Sequence, residues 1–414
     1  MTRRAVARLI ATAACCVGIW SVLPASAAAQ APPQLAVRAA SLYAPQTGQL
    51  LWGADPDRRL PIASTTKLMT ALITVQHVHR LGTMFTQNDW YPAAADSQIG
   101  LVPGERMSVH DLLLALMLPS ADDAAEDLAA NVGHGSVARF VEMMNAQARA
   151  LGLRHTHYST PSGLDTPGNY SSAADLVKLA GYDVAHSAYL ARIVALPSAV
   201  LRSGSHARYV VNRNDLVGRY SWIDGVKTGH TDDAGYVLVA SGHRDGMTLI
   251  SSVLGTSSEA ERDATTLALL HYGFATFAPR TAVHVGQVMA RLPVRDRPGV
   301  HVPVIAASTF ARIVARHAGL GVRVTLPARL TGPLPARAVV GTAAVVQAGH
   351  VLARIPILLP NRLAAVSGVA IAARFVTRPV TLLAIAAAVA CVAVLTIGRR
   401  RRRGGRRERE LEAA

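Results

Sequence analysis

The chain has 414 residues, half of them apolar and 16% charged, with a net charge of +16. That length carries two or three domains with a full-sized core, and that apolar content excludes a disordered polymer. The three cysteines, at 15, 16 and 391, all lie in apolar terminal runs, so the stretch between them has no thiol for catalysis, disulfides or cysteine-based zinc.

Residues 1–27 read as a secretory signal peptide. "MTRRAVAR" is a basic start, "LIATAACCVGIWSVL" is an apolar run of fifteen, and "ASA" supplies the small residues a signal peptidase needs. Neither Cys15 nor Cys16 sits in a convincing lipobox, and the apolar run continues past them.

Residues 28–280 form the next expected domain, with nineteen basic and twenty-two acidic groups, a net of −3. "VRAASLYAPQTGQLLWGADPD" (37–57) reads as a β-hairpin around "PQTG". "STTKLMTALITVQHVHR" (64–80) reads as a helix, with Leu68, Leu72, Val75 and Val78 at helical spacing. "SVHDLLLALML" is a second helix with Ser108 and Asp111 as a capping box, closed by Pro119. "DDAAEDLAANV", "SVARFVEMMNAQARALG" and "SSAADLVKLAGY" continue the helical run, with Gly152 as a C-cap. The period then changes. "GYVLVASGHRDGMTLISSVLG" (235–255) is a hairpin on Asp-Gly, and "SSEAERDATTLALLHYGF" is a closing helix. Helices enclosed between early and late antiparallel strands predict an α+β sandwich whose chain ends meet in one sheet.

Residues 281–360 read as a small β-rich domain, with alternation in "GVRVTLPARL" and a Gly-turn hairpin in "AAVVQAGHVLARIPILLP". Residues 281–378 carry twelve arginines against one acid, Asp296, a net of +11. This charge suits anionic lipid headgroups or acidic wall polymers, or simply reflects an arginine-rich composition. A juxtamembrane linker (361–379) follows. "VTLLAIAAAVACVAVLTI" (380–397) has eighteen uncharged residues, about 27 Å of helix at ~1.5 Å per residue, which is enough to cross a bilayer core. The basic tail 398–414 then predicts a cytoplasmic C-terminus and a single-pass membrane protein with everything upstream outside. Nucleic acid is not an expected partner there.

Three stretches carry chemistry. Lys67 follows Ser64 by three residues, so a helix starting near Ser64 puts both on one face. A serine hydroxyl needs a base, and a lysine serves only as a neutral amine, which arginine cannot become. Only three of the forty-two basic residues are lysines, at 67, 178 and 227. Alone, S-x-x-K is a weak signal, and Ser64 would serve equally as a helix cap. Ser120 stands between two helices, where a hydroxyl can face a cleft or cap the next helix. Lys227-Thr228-Gly229 opens a strand, with Gly229 leaving room for a ligand near the backbone. The histidine pairs in "HVHR" and "RHTH" lack acidic partners, so no metal site is expected.

Taken in order, Ser-x-x-Lys, Ser and Lys-Thr-Gly form a much more specific pattern. The chain resembles the serine D-Ala-D-Ala carboxypeptidases, or low-molecular-mass penicillin-binding proteins. The resemblance runs through "IASTTKLMTALI", "IGLVPGERMSVHDLLLALMLPSADDAAEDLA", "STPSGLDTPGNYSSAADLVKLA" and "LVGRYSWIDGVKTGHTDDAGYVLVASGHRDGMTLI", about residues 35–275. Residues 281–360 more weakly resemble the β-rich domain that often follows. The resemblance implies a β-lactamase/transpeptidase-like sandwich with a helical subdomain. It also implies that Ser64 is the acyl-ester nucleophile, Lys67 the general base and Ser120 a proton relay. By the same resemblance, Lys227, Thr228, Gly229 and Asp122 are implied to bind substrate, and the backbone N–H groups of Ser64 and His230 to form the oxyanion hole. No metal or organic cofactor is implied. The implied partners are the peptidoglycan stem peptide and β-lactam inhibitors, in cell wall remodelling.

The middle motif departs from the family's Ser-x-Asn, because residue 122 is Asp. Asparagine donates a side-chain hydrogen bond, and an ionised aspartate cannot. Either Asp122 pairs with Lys67 or Lys227 and slows acylation, or the motif tolerates Asp outright. "EMMN" (142–145) is similar to the deacylating Glu stretch of class A β-lactamases, but it lies in an expected helix too close to Ser120. Two other readings use the same residues: a D,D-endopeptidase on cross-links, and a catalytically weakened scaffold.

Overall fold

In the computed structural model, the described residues are 31–88, 90, 92–295, 297–365 and 379–411. The expected signal peptide, Asp296 and most of the linker lie outside them. Strands β1 (Ala39–Ala44) and β2 (Gln49–Ala54) pair as the expected hairpin. A 3-10 turn, Ala63–Thr66, runs into α1 (Lys67–His77). The short strands β3 (Met84–Thr86) and β4 (Arg106–Ser108) pair ahead of α2 (Val109–Met117). Helices α3 (Asp122–Val132), α4 (Val137–Ala150), α5 (Ala173–His186) and α6 (Ala188–Val194) follow. A second short pair, β5 (Ser198–Leu201) and β6 (Arg208–Val211), precedes α7 (Leu216–Arg219). Strands β7 (Ile223–Thr231), β8 (Gly235–Arg244) and β9 (Met247–Thr256) lead to α8 (Glu259–Thr276).

The main sheet is antiparallel, in the order β2-β1-β9-β8-β7. Its first and last strands in the chain, β1 and β9, are neighbours, as the enclosed helical run requires. Alternate residues serve opposite faces. Ala40, Leu42, Leu249 and Val253 pack with Leu269, Leu270 and Phe274 of α8. Val237, Val239, Ile250 and Leu254 face the helical subdomain of α1 to α6. The β8–β9 turn has Asp245 at φ 50° and Gly246 at φ 72°, both in the left-handed region that a two-residue hairpin turn demands.

Two local readings need correction. The helix expected over 64–80 is a 3-10 turn followed by α1, and it stops at His77 because Val78 is extended (φ −116°, ψ 96°). The capping box on α2 is half made. Ser108 Oγ accepts from Asp111 N, but the Asp111 carboxylate accepts from Arg202 N, Ser203 N and Ser203 Oγ instead of reaching back. Tertiary donors outcompeted the local one.

Beyond α8, β10 (Phe277–Val283) pairs with β13 (Phe310–Ala315). A second antiparallel sheet is ordered β11 (Val288–Val294), β12 (Arg297–Ala306), β16 (His350–Leu358), β15 (Val339–Gln347), β14 (Gly321–Thr325). It has its own core, with Leu292, Val304, Val345, Ile355 and Ile357. The alternation in β14 is not an alternation of burial, since all five residues of this edge strand are exposed. Helix α9 (Pro379–Leu411) contains a stretch, Pro379–Arg400, long and apolar enough to cross a membrane, and none of that stretch is buried. It is therefore not a core helix of this fold. The architecture is an α+β sandwich with a helical subdomain, then a β-rich unit and one long apolar helix.

Candidate active site

The 3-10 turn places Ser64 at the mouth of α1 and Lys67 one turn further in. Ala63 takes φ 48° to enter the turn. Lys67 is fully buried. Its Nζ is 2.8 Å from Ser64 Oγ, 2.5 Å from Asp122 Oδ1 and 2.6 Å from Ser162 O. Three acceptors match the three hydrogens of an ammonium. Burial pulls the Lys67 pKa below its ordinary value; Asp122, and after it Glu126, oppose that shift. The pairing of Asp122, left open between two lysines, is thus with Lys67.

Ser120 stands between α2 and α3, at φ 68°. A non-glycine residue in that region stores about 1–3 kcal/mol of strain. Ser120 does not cap α3; the N-cap is Ala121, whose N–H donates to Ala115 O. The Ser120 hydroxyl is buried without a hydrogen-bond partner among the described residues. Strain and an unspent hydroxyl at one residue argue for a task other than capping. Asp122 and Asp123 tie the start of α3 to the segment 97–101. Asp122 Oδ2 accepts from Ser97 N, and the Asp123 carboxylate accepts from Ile99 N and Leu101 N.

The other wall is β7, an edge strand whose free side faces the Ser64 turn. Lys227 is buried, and its Nζ donates to the neighbouring Thr228 O at 3.0 Å. Burial pulls its pKa well below the ordinary value, with repulsion from Lys67 and Arg213 adding to the fall. Gly229 is required by packing. A Cβ there would lie 3.0 Å from both Ser64 N and Ala63 Cβ. The backbone that Gly229 lets approach is therefore the Ser64 turn, where a ligand was expected. His230 is exposed, its ring 4.1 Å from that of Tyr236. Thr231 Oγ1 donates to Asp165 Oδ1 at 2.7 Å, tying β7 to the loop 159–169, which also carries Ser162. Glu142, in the stretch similar to a deacylating Glu, is exposed on α4.

Three residues of this site were not found from sequence. Ser162 gives its carbonyl to Lys67. Glu126, one helical turn after Asp122, accepts from Ser162 Oγ at 3.3 Å and is buried. Arg213 donates through Nε to Pro119 O, placing a cation beside both lysines. The i, i+4 spacing of Asp122 and Glu126 was the available signal, but acids in a helix's first turns ordinarily read as dipole partners at a surface. Chemically, these residues offer a hydroxyl held by a buried amine and a second buried hydroxyl without a partner among the described residues.

The D-alanyl-D-alanine carboxypeptidase family, Peptidase S11, matches residues 26–258. D-alanyl-D-alanine carboxypeptidase DacF of Bacillus subtilis is 27% identical over 328 residues, covering 77% of this chain and 84% of that protein. The D-alanyl-D-alanine carboxypeptidase of Streptomyces sp. strain K15 is 32% identical over 293 residues, covering 66% of this chain and 99% of that protein. Among solved structures, penicillin binding protein 5 from Haemophilus influenzae is similar with a TM-score of 0.68 and 28% identity, covering 81% of this chain and 99% of that one. The match spans the motifs, contacts of Lys67 with Ser64 and Asp122 and of Gly229 with the Ser64 turn bring them together, and the chain therefore belongs to the D-alanyl-D-alanine carboxypeptidase family of serine-type, penicillin-binding peptidases.

Proposed function

We propose that Ser64 is the nucleophile of a carboxypeptidase that removes the terminal D-alanine from peptidoglycan pentapeptide stems. The observation that carries this reading is the 2.8 Å contact between Lys67 Nζ and Ser64 Oγ inside a buried site. Lys67, as the neutral amine, takes the Ser64 proton while Oγ attacks the carbonyl between the two D-alanines. The backbone N–H groups of Ser64 and His230 hold the developing oxyanion. Ser120 relays a proton to the departing amine. Lys227, Thr228 and Gly229 receive the substrate's terminal carboxylate and backbone, with Arg213 adding positive field. Water then hydrolyses the ester. Asp122 slows acylation by holding Lys67 as the ammonium. The Pro379–Arg400 stretch anchors the enzyme in the cell membrane, with the peptidase outside and the arginine-rich end inside.

The test is D-alanine release from a monomeric stem pentapeptide. The wild type is expected to release it, and Ser64→Ala to lose the activity by several orders of magnitude. Equal release by both would end the proposal. A cross-linked dimer in the same assay separates endopeptidase from carboxypeptidase action.

A further inference from the structure

Around Lys67 the structure holds more acid than the reaction needs. Asp122 Oδ1 contacts Nζ directly, and Glu126 reaches it through one residue. Ser162 donates its hydroxyl to Glu126 Oε1 and gives its carbonyl to Lys67. Glu126 lies in α3 against α1 and the loop carrying Ser162, and outside its own helix it also accepts, through its backbone O, from Asn88 Nδ2. The charged groups that face it are Lys67 from α1 and Asp122 one turn earlier on its own helix. A carboxyl group so placed bears on the charge of the amine without touching substrate.

We propose that Glu126 is a positioning residue for this reaction: by gaining or losing its own proton within the buried network, it decides how readily Lys67 can stand as a neutral amine. The proposal rests on Lys67 being the base of the acylation step. With Glu126 protonated, the network holds one ammonium and one carboxylate and is neutral overall. Lys67 then gives up its proton to solvent against the pull of one carboxylate, Asp122, alone. The neutral amine takes the Ser64 proton as Oγ acylates. With Glu126 ionised, a further negative charge stands beside Lys67 and favours the ammonium, so loss of the proton becomes harder. Burial pushes the Glu126 carboxyl up to about 7, opposed by the Ser162 bond and by Lys67. The change of state therefore falls near neutral pH. A solely structural carboxyl would give no such profile.

The experiment measures the second-order rate of acylation by a fluorescent penicillin across about pH 5.5 to 9 for the full chain and for Glu126→Gln. Glutamine is neutral at every pH. The ratio of variant to wild type is expected near one on the acid side, rising through about pH 7 to roughly tenfold on the alkaline side, the effect of one pKa unit on Lys67. A ratio that does not change with pH overturns the proposal. If Glu126→Gln does not fold, Ser162→Ala serves instead. Removing that donor raises the Glu126 carboxyl and moves the wild-type inflection to higher pH, and an unmoved inflection overturns the proposal. Absence of label on folded wild type would instead defeat the active-serine assignment, so the two failures are distinct.

Discussion

Under the proposed mechanism, Asp122 sets the rate of acylation. Where the Ser-x-Asn motif would have asparagine, this chain sets a carboxylate 2.5 Å from the Lys67 amine proposed to lose a proton. A buried opposite charge favours the ammonium, and each pKa unit costs about tenfold in neutral amine. Asp122→Asn is therefore expected to raise the acylation rate by about an order of magnitude at neutral pH, read by penicillin labelling and D-alanine release. An unchanged or slower rate would sink that account. At this scale Ser64, Lys67, Ser120 and Lys227 were legible because a rare residue stood in a specific pattern. Lys178 shows the contrast: it is half exposed and forms an ordinary pair with Asp175 at 3.3 Å. Glu126 and Ser162 were illegible because their meaning is tertiary. No pattern in "DDAAEDLA" says that its acids are buried, and all four of them are.

Among elements, the periods of 3.6 and 2 located most helices and hairpins, and serines cap further helix starts in the structure. Ser136, Ser172 and Ser258 each accept from the N–H three residues on. What local pattern could not give was the tie between two short hairpins. Glu105, just ahead of β4, holds Arg208 of β6 through both carboxylate oxygens, at 2.9 and 3.0 Å. Ser205 N and Oγ donate to the same group. Both charges are buried, so Glu105→Ala strands a guanidinium and is expected to destabilise by about 3–5 kcal/mol, measured by urea unfolding. Arg208 and Ser205 hold the Glu105 carboxyl at about 2 despite its burial. A depressed carboxyl contributes stability above its unfolded pKa, about 4.3, and loses that contribution as pH falls toward 2. The difference between wild type and variant should therefore shrink across that acid window. A difference that stays constant would contradict the pair.

On the whole-molecule scale, the sandwich was readable because helices enclosed by strands leave few ways to close a sheet. The junction to the second unit was not. The Gln49 side chain, in β2, accepts from Ile313 N at 2.9 Å and donates to Ile313 O at 3.1 Å, a contact 264 residues apart with no local signature. The Lys67–Asp122 pair and the approach of Gly229 to Ser64 N bring the Ser64 turn, the α2–α3 corner and the edge of β7 together, and catalysis by Ser64 is the claim on which the rest depends. The most direct measurement incubates the full chain in detergent with a fluorescent penicillin, digests it and locates the adduct by mass spectrometry. The account predicts one acyl group per chain, on Ser64, and none on Ser64→Ala. An adduct on another residue, or no adduct on a folded wild type, would contradict it.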